Sequence, residues 1–437
     1  MYVRSIRRVV ALTTLMLAAC VRAGSAQDGV HQQEPAAPAQ HQHDMAAMSG
    51  GIPMTREGSG TSWLPDETPI FALHREANRW TLMAHANVFV QYLNETGDRG
   101  SDQFGSINWL MGMAHRPLGA GQVLLRGMVS VEPWTIGGCG YPDLLATGEL
   151  CRGEIIHDRQ HPHDLFMELA VEYNRPIGRG VRLQLYGGPA GEPALGPVAY
   201  MHRLSAAPNA LAPITHHWFD STHITYGVAT AGLYSMKWKV EGSAFNGREP
   251  DEDRTDMDYA AMDSWSGRVW FMPTAHWALQ GSAGHLNEAE SGESGEPRVD
   301  VDRVTASATY HRATLEDTIW ATTVGWGRNA EPQEAATNAL LLESSMTLQN
   351  RDSFYGRFEW SEKSGHDLGV AEHGVFNVSK LQGGYTRYLP AWHGWTPGVG
   401  GAASAGIVPM SLKPAYGSRV NAGFSVYLTL RPTPQSM

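Results

Sequence analysis

The chain has 437 residues, with 44 acidic against 33 basic side chains and a formal charge of −11. Neutralising phosphates takes clustered Lys and Arg, so this balance excludes a nucleic-acid partner. Only 18% of residues are charged, while 48 Gly, 14 Trp and 15 Tyr suit aromatic-flanked strands joined by turns better than a helical cytosolic enzyme.

Residues 1–26 read as a signal peptide: Arg4, Arg7 and Arg8 precede the apolar run Val9 to Ala19, too short to span a bilayer as a helix. Two processing sites compete, a lipobox-like Leu17-Ala18-Ala19-Cys20 and a small-x-small Gly24-Ser25-Ala26. Either route removes Cys20 from the disulfide count, and an oxidising compartment then pairs Cys139 with Cys151 across a Gly- and Pro-containing loop. Residues 27–75 are expected to form a flexible tail rich in Gln, Ala, Pro, His and Met; His31, His41, His43, Asp44, Met45 and Met48 in it suit copper, and the same short stretch also reads as a plain polar linker.

From residue 76 to 432 the texture is that of a transmembrane antiparallel up-and-down β-barrel, an all-β fold, followed by a short tail at 433–437. No later stretch is long and apolar enough for a transmembrane helix, so a membrane form must be a closed barrel. Segments of about ten residues alternate apolar and polar side chains, the signature of barrel strands. They predict about sixteen strands, near 80–92, 104–115, 121–132, 163–174, 180–188, 222–235, 236–247, 263–273, 276–286, 300–312, 316–328, 338–348, 353–362, 375–388, 394–407 and 418–430. The joins after the even-numbered strands are tight, as at Pro117-Leu118-Gly119-Ala120 and Pro176-Ile177-Gly178-Arg179, and the others are mostly long. That asymmetry implies periplasmic turns and extracellular loops. In the fourth strand Leu165, Met167, Leu169, Val171 and Tyr173 are expected to face lipid, opposite Asp164, Glu168 and Glu172. A wet lumen would use Glu168, Glu172, Arg182, Lys237, Lys239, Glu241, Arg126 and His85. The closing strand, Phe424 to Leu430, lacks the terminal aromatic residue usual in such barrels, since Arg431 to Met437 follow it.

Two clusters could carry chemistry. His157, His161, His163 and Asp164 lie before the fourth strand, and His202, His216, His217, Asp220 and His223 lie before the sixth, at the same end. Imidazole and carboxylate in this density suit copper or zinc. The same groups also serve as a hydrogen-bond network that folds two loops into the mouth, and both readings stand at this point. Strands two apart are about 10 Å apart around the ring, so the clusters are expected to converge. The run Phe245 to Arg254 is a third, acidic loop that fails the EF-hand pattern and reads as a salt-bridged surface or lumen plug. Familiar enzyme motifs are absent.

The runs HPHDLFMELAVEY (161–173), GEPALGPVAYMHR (191–203), HHWFDSTHITYGV (216–228) and FNGREPDEDR (245–254) resemble a functionally uncharacterised bacterial family of exported outer-membrane β-barrel proteins. The resemblance implies an outer-membrane location and an association with copper handling. The expectation is a non-enzymatic pore or transport protein in outer-membrane lipid that passes a small solute or a metal ion through His/Asp loops at its mouth. A barrel enzyme using metal-assisted hydrolysis, and a structural or adhesive barrel, are the alternatives; self-association into a homo-oligomer is left open.

Overall fold

In the computed structural model the described residues are 48–290, 297–314, 317–332 and 334–434. Sixteen antiparallel strands close into a barrel: β1 Trp80–Glu95, β2 Asp102–Leu118, β3 Gly121–Val129, β4 Phe166–Gly178, β5 Val181–Gly191, β6 Thr225–Tyr234, β7 Trp238–Phe245, β8 Ser264–Phe271, β9 Trp277–Glu290, β10 Val299–Ala313, β11 Ile319–Ala330, β12 Thr337–Leu348, β13 Asp352–Ser364, β14 Val375–Tyr388, β15 Trp395–Ile407 and β16 Val420–Pro432. Each strand pairs with its chain neighbour, and β16 closes on β1 through Gly423 opposite Glu95 to Leu430 opposite Val88. Below that seam a short strand, Leu73–Ala77, completes the edge of β1. The signal peptide, Cys20 and the tail's His31, His41, His43, Asp44 and Met45 lie outside the described residues.

Period-2 alternation sets the two faces. Leu233, Val240, Val269, Val324, Leu342, Phe358, Leu381 and Val426 point outward and are exposed. Trp277, Tyr310 and Trp320 make an outward aromatic band at the turn end, with centroid separations of 5.0 and 5.3 Å along it. Inward, Lys239 and Glu241 pair at 3.4 Å and Arg268 meets Glu241 at 2.9 Å.

Three expectations need correction. Lys237 sits exposed in the β6–β7 turn rather than in the lumen, because β7 begins at Trp238. Met167 faces inward beside Glu168: a bulge between Met128/Glu168 and Val129/Phe166 puts two successive side chains on one side. Leu165 precedes β4 and donates its backbone N–H to Arg254 O.

The lumen is packed rather than wet, and the described part of the segment expected as a tail helps to fill it. Residues 48–72 enter from the turn end and lie inside the barrel. Arg56 grips Asp66 with two N–H donors, at 2.6 and 2.7 Å. The wall holds the segment in turn: Arg126 Nη1 donates to Gly58 O at 3.0 Å, Arg268 Nη2 to Thr61 Oγ1 at 3.0 Å, and Lys239 to the Thr61 carbonyl. Gly60, at φ +50°, packs where a Cβ would stand 2.7 Å from Glu192, so only a bare backbone fits.

From the loop end, residues 130–165 and 192–224 fold inward above this plug. Ala199 N donates to Ser59 Oγ at 2.9 Å, where plug and loop meet. The first loop carries the hairpin Tyr141–Cys151 and Glu154–Gln160, with Cys139 bonded to Cys151. The last residues return to the turn end, where Pro434 bridges Phe71.

Candidate functional site

The β5–β6 loop delivers its histidines on one helical turn, His216–Phe219, followed by a 3-10 turn, Ser221–His223. Trp218 and Phe219 anchor that turn on the wall beside Ala339 and Leu341, and Trp218 Nε1 donates to Thr337 Oγ1 at 3.0 Å. Gly327 of β11 makes room for it, since a Cβ there would meet the Trp218 carbonyl at 2.4 Å. His216 and Asp220, four apart on one face, close at 2.8 Å.

Five of the expected imidazoles converge. Ring centroids lie 6.4 Å apart for His161 and His217, 5.9 Å for His216 and His217, 5.1 Å for His216 and His223, and 5.5 Å for His163 and His223. Their partners divide them into two kinds. His163 is held at both nitrogens, with Nδ1 2.9 Å from Glu132 Oε1 and Nε2 3.2 Å from Tyr200 Oη. His217 and His223 each leave Nε2 enclosed without a partner. Burial, reinforced by neighbouring imidazoles, holds His217 and His223 well below the ordinary histidine value. His161 is lowered too, by burial and then Arg254. The lowered values favour the neutral ring, and among the described residues His217 and His223 keep Nε2 without a partner while His161 meets Gln160 and Glu149.

The carboxylates do not all follow. For Asp220, burial raises the carboxyl, yet Arg203 at 2.7 Å and His216 outweigh it and hold the group below the carboxylate range. Asp164 instead lies 3.7 Å from Arg254, and burial pushes it up to about 7 against that guanidinium. Both face guanidinium partners first, which removes them from the simplest ligand set.

Two expected ligands lie elsewhere. His157 turns to the β13–β14 loop, its Nδ1 3.2 Å from Asp367 O, because the hairpin carrying it points toward that loop. His202 lies against Trp109, ring centroids 4.8 Å apart and planes tilted by 46°, deeper in the barrel.

Several site residues were not among the expected ligands: Glu132, Glu149, Glu249, Glu290, Tyr200 and Arg254. Glu149 lies 3.3 Å from His161 and also binds Arg254. Ligand atoms of His217, Glu249 and Glu290 all lie within 4.8 Å of one another. Glu249 is half-buried, and desolvation, with Glu149 and Glu290 nearby, drives its carboxyl well above the usual range. Two repelling acids beside an imidazole, with His217 Nδ1 3.3 Å from Glu249 Oε1, form a set that a cation would satisfy. Glu249 belongs to the acidic loop visible in the sequence, but its meeting with His217 requires the fold.

No protein-family model matches this chain, and no curated protein matches its sequence. Among solved structures it is similar in form to outer-membrane barrels. These include an anion-selective porin from Comamonas acidovorans, 11% identical, covering 80% of this chain and 99% of that one at TM-score 0.48. OmpF of Salmonella typhi, solved in complex with daunomycin, is 8% identical, covering 82% and 100% at TM-score 0.49. OprB of Pseudomonas putida is 7% identical, covering 80% and 94% at TM-score 0.49.

Proposed function

We propose that this chain is an outer-membrane barrel with a plugged lumen, whose extracellular mouth captures a divalent cation such as copper or zinc. The outward apolar belt and aromatic band support the membrane location. Leu342→Arg on that belt is expected to lower barrel stability by roughly 2–4 kcal/mol, the cost of a charge near the bilayer midplane. Glu372→Arg, on an exposed loop, should cost nothing. Heat-modifiable gel migration separates folded from unfolded barrel; equal assembly of both variants would sink the membrane register.

The observation that carries the metal reading is the juxtaposition of His217, Glu249 and Glu290, whose ligand atoms lie within 4.8 Å of one another, with His217 Nδ1 3.3 Å from Glu249 Oε1. Zinc binds imidazole and carboxylate at about 2.0–2.2 Å, so a small closure of this trio would seat the ion. His161 and His216 flank His217, at ring separations of 6.4 and 5.9 Å. Isothermal titration of the full chain in detergent with Zn²⁺ should show one equivalent that vanishes in the His217→Ala, Glu249→Gln double variant, whatever the tail binds. Equal stoichiometry in both proteins would remove the site.

A structural reading applies to the remaining members. His163, His216 and Asp220 are satisfied by Glu132, Tyr200 and Arg203, and they act as struts that fix the two loops. The trio and the struts divide the cluster between capture and support.

A further inference from the structure

Below the mouth cluster lies a cavity of about 120 Å³, enclosed by β1, β2, the plug and the inward loop. Its ligand chemistry differs from that of the mouth. The strand register places Met83 opposite Met113, and His85 opposite Met111, which in turn opposes Met128. Directly opposed side chains in antiparallel strands have Cβ atoms about 4.5–5.5 Å apart, so these five form one inward patch across three strands. The inward loop adds Met201 and His202, and the plug adds Met54. His85 Nε2 is enclosed there with no hydrogen-bond partner.

Methionine is a common filler of irregular cores, and that account has to be weighed first. Residue partition argues against it: the exposed outward positions of β1 and β3 include Leu82 and Leu125, whereas the thioethers collect on the inner face. A filler also leaves no reason for two imidazoles, one with an open nitrogen, to share the pocket. Charge then selects the ligand. The cavity's single lining carboxylate is Glu57, and the lining Arg431 is occupied by the rings of Phe71 and Tyr388, 4.2 and 3.8 Å away. Soft thioether and neutral imidazole donors with little negative charge favour a soft monovalent ion over a hard divalent one.

We propose that this cavity is a binding site for a soft monovalent metal ion, Cu(I) or Ag(I), with Met83, Met111, Met113 and His85 as its principal ligands. The site is independent of the His217 trio, with a different donor set and different strands. A second cavity, lined by His163, Tyr200, Trp109 and Met201, lies between the two regions. That position makes the Met/His site the next station inward from the mouth.

The test uses the full chain in detergent with Ag(I), which needs no reductant, and metal retained after gel filtration as the readout. Wild type should keep one more equivalent of Ag(I) than the Met83→Leu, Met111→Leu, Met113→Leu triple variant. Leucine conserves volume, so the barrel should still show folded gel migration. If the triple variant fails to assemble, the single variants Met111→Leu and Met113→Leu replace it, each expected to weaken Ag(I) binding at least tenfold. Ag(I) retention should be untouched in His217→Ala, Glu249→Gln, and Zn²⁺ binding untouched in the methionine variants. Ag(I) stoichiometry and affinity unchanged by the methionine substitutions would overturn the proposal and leave the cluster as packing.

Discussion

A chain lacking residues 48–72 is expected to assemble as a barrel and to conduct at least tenfold more ionic current in planar bilayers than the full chain. The strands owe their pairing to one another, so the wall survives removal of the plug. The lumen does not. Arg126, Lys239 and Arg268 now spend donors on Gly58 and Thr61 of the plug, and without it those groups face water. The inward loop also loses its floor, since Ala199 N rests on Ser59 Oγ. A deletion that leaves the current unchanged would show that the loop at 192–224 is the seal and that the plug is only a brace.

The plug also marks where sequence reading stops. The strands were legible because one face meets lipid and the other does not, which writes alternation into segments such as Trp238-Lys239-Val240-Glu241. Turn chemistry and join lengths then gave the strand order. The interior left no such trace. Residues 48–72 contain Gly, Ser, Thr and Pro without period, and the apolar side chains they bury against the wall, Ile52, Trp63 and Leu64, follow no helical or strand spacing. On β2 the inward set Trp109, Met111 and Met113 alternates with Leu110, Gly112 and Ala114, so both faces read as apolar and the Met/His patch is invisible. At the mouth the histidines announced themselves, but not their partners. Glu132, Glu249 and Glu290 come from separate loops and strand ends that only closure of the ring brings together.

Arg203→Ala should destabilise the inward loop more than any other single truncation in it, by roughly 3–5 kcal/mol, because it strands buried acids. Arg203 Nε meets Glu343 Oε1 of β12 at 2.6 Å and its Nη1 meets Asp220 Oδ2 at 2.7 Å, all three side chains almost fully buried. Arg357 Nε reaches the other Glu343 oxygen at 3.2 Å, so Glu343 would keep one cation while Asp220 would keep only His216. Since Asp220 orients His216 and its carbonyl accepts from His223, the histidine cluster should loosen together with the loop. Urea titration monitored by Trp218 fluorescence, against a Trp218→Phe blank, measures the loss locally, and limited proteolysis within 196–212 should accelerate in proportion. The Arg203→Met, Asp220→Asn double variant should recover part of the stability, because it removes the stranded charge along with the cation. A loss under about 1 kcal/mol, the size of an exposed ion pair, would mean that water reaches this pair and that the loop at 192–224 is not packed into the barrel.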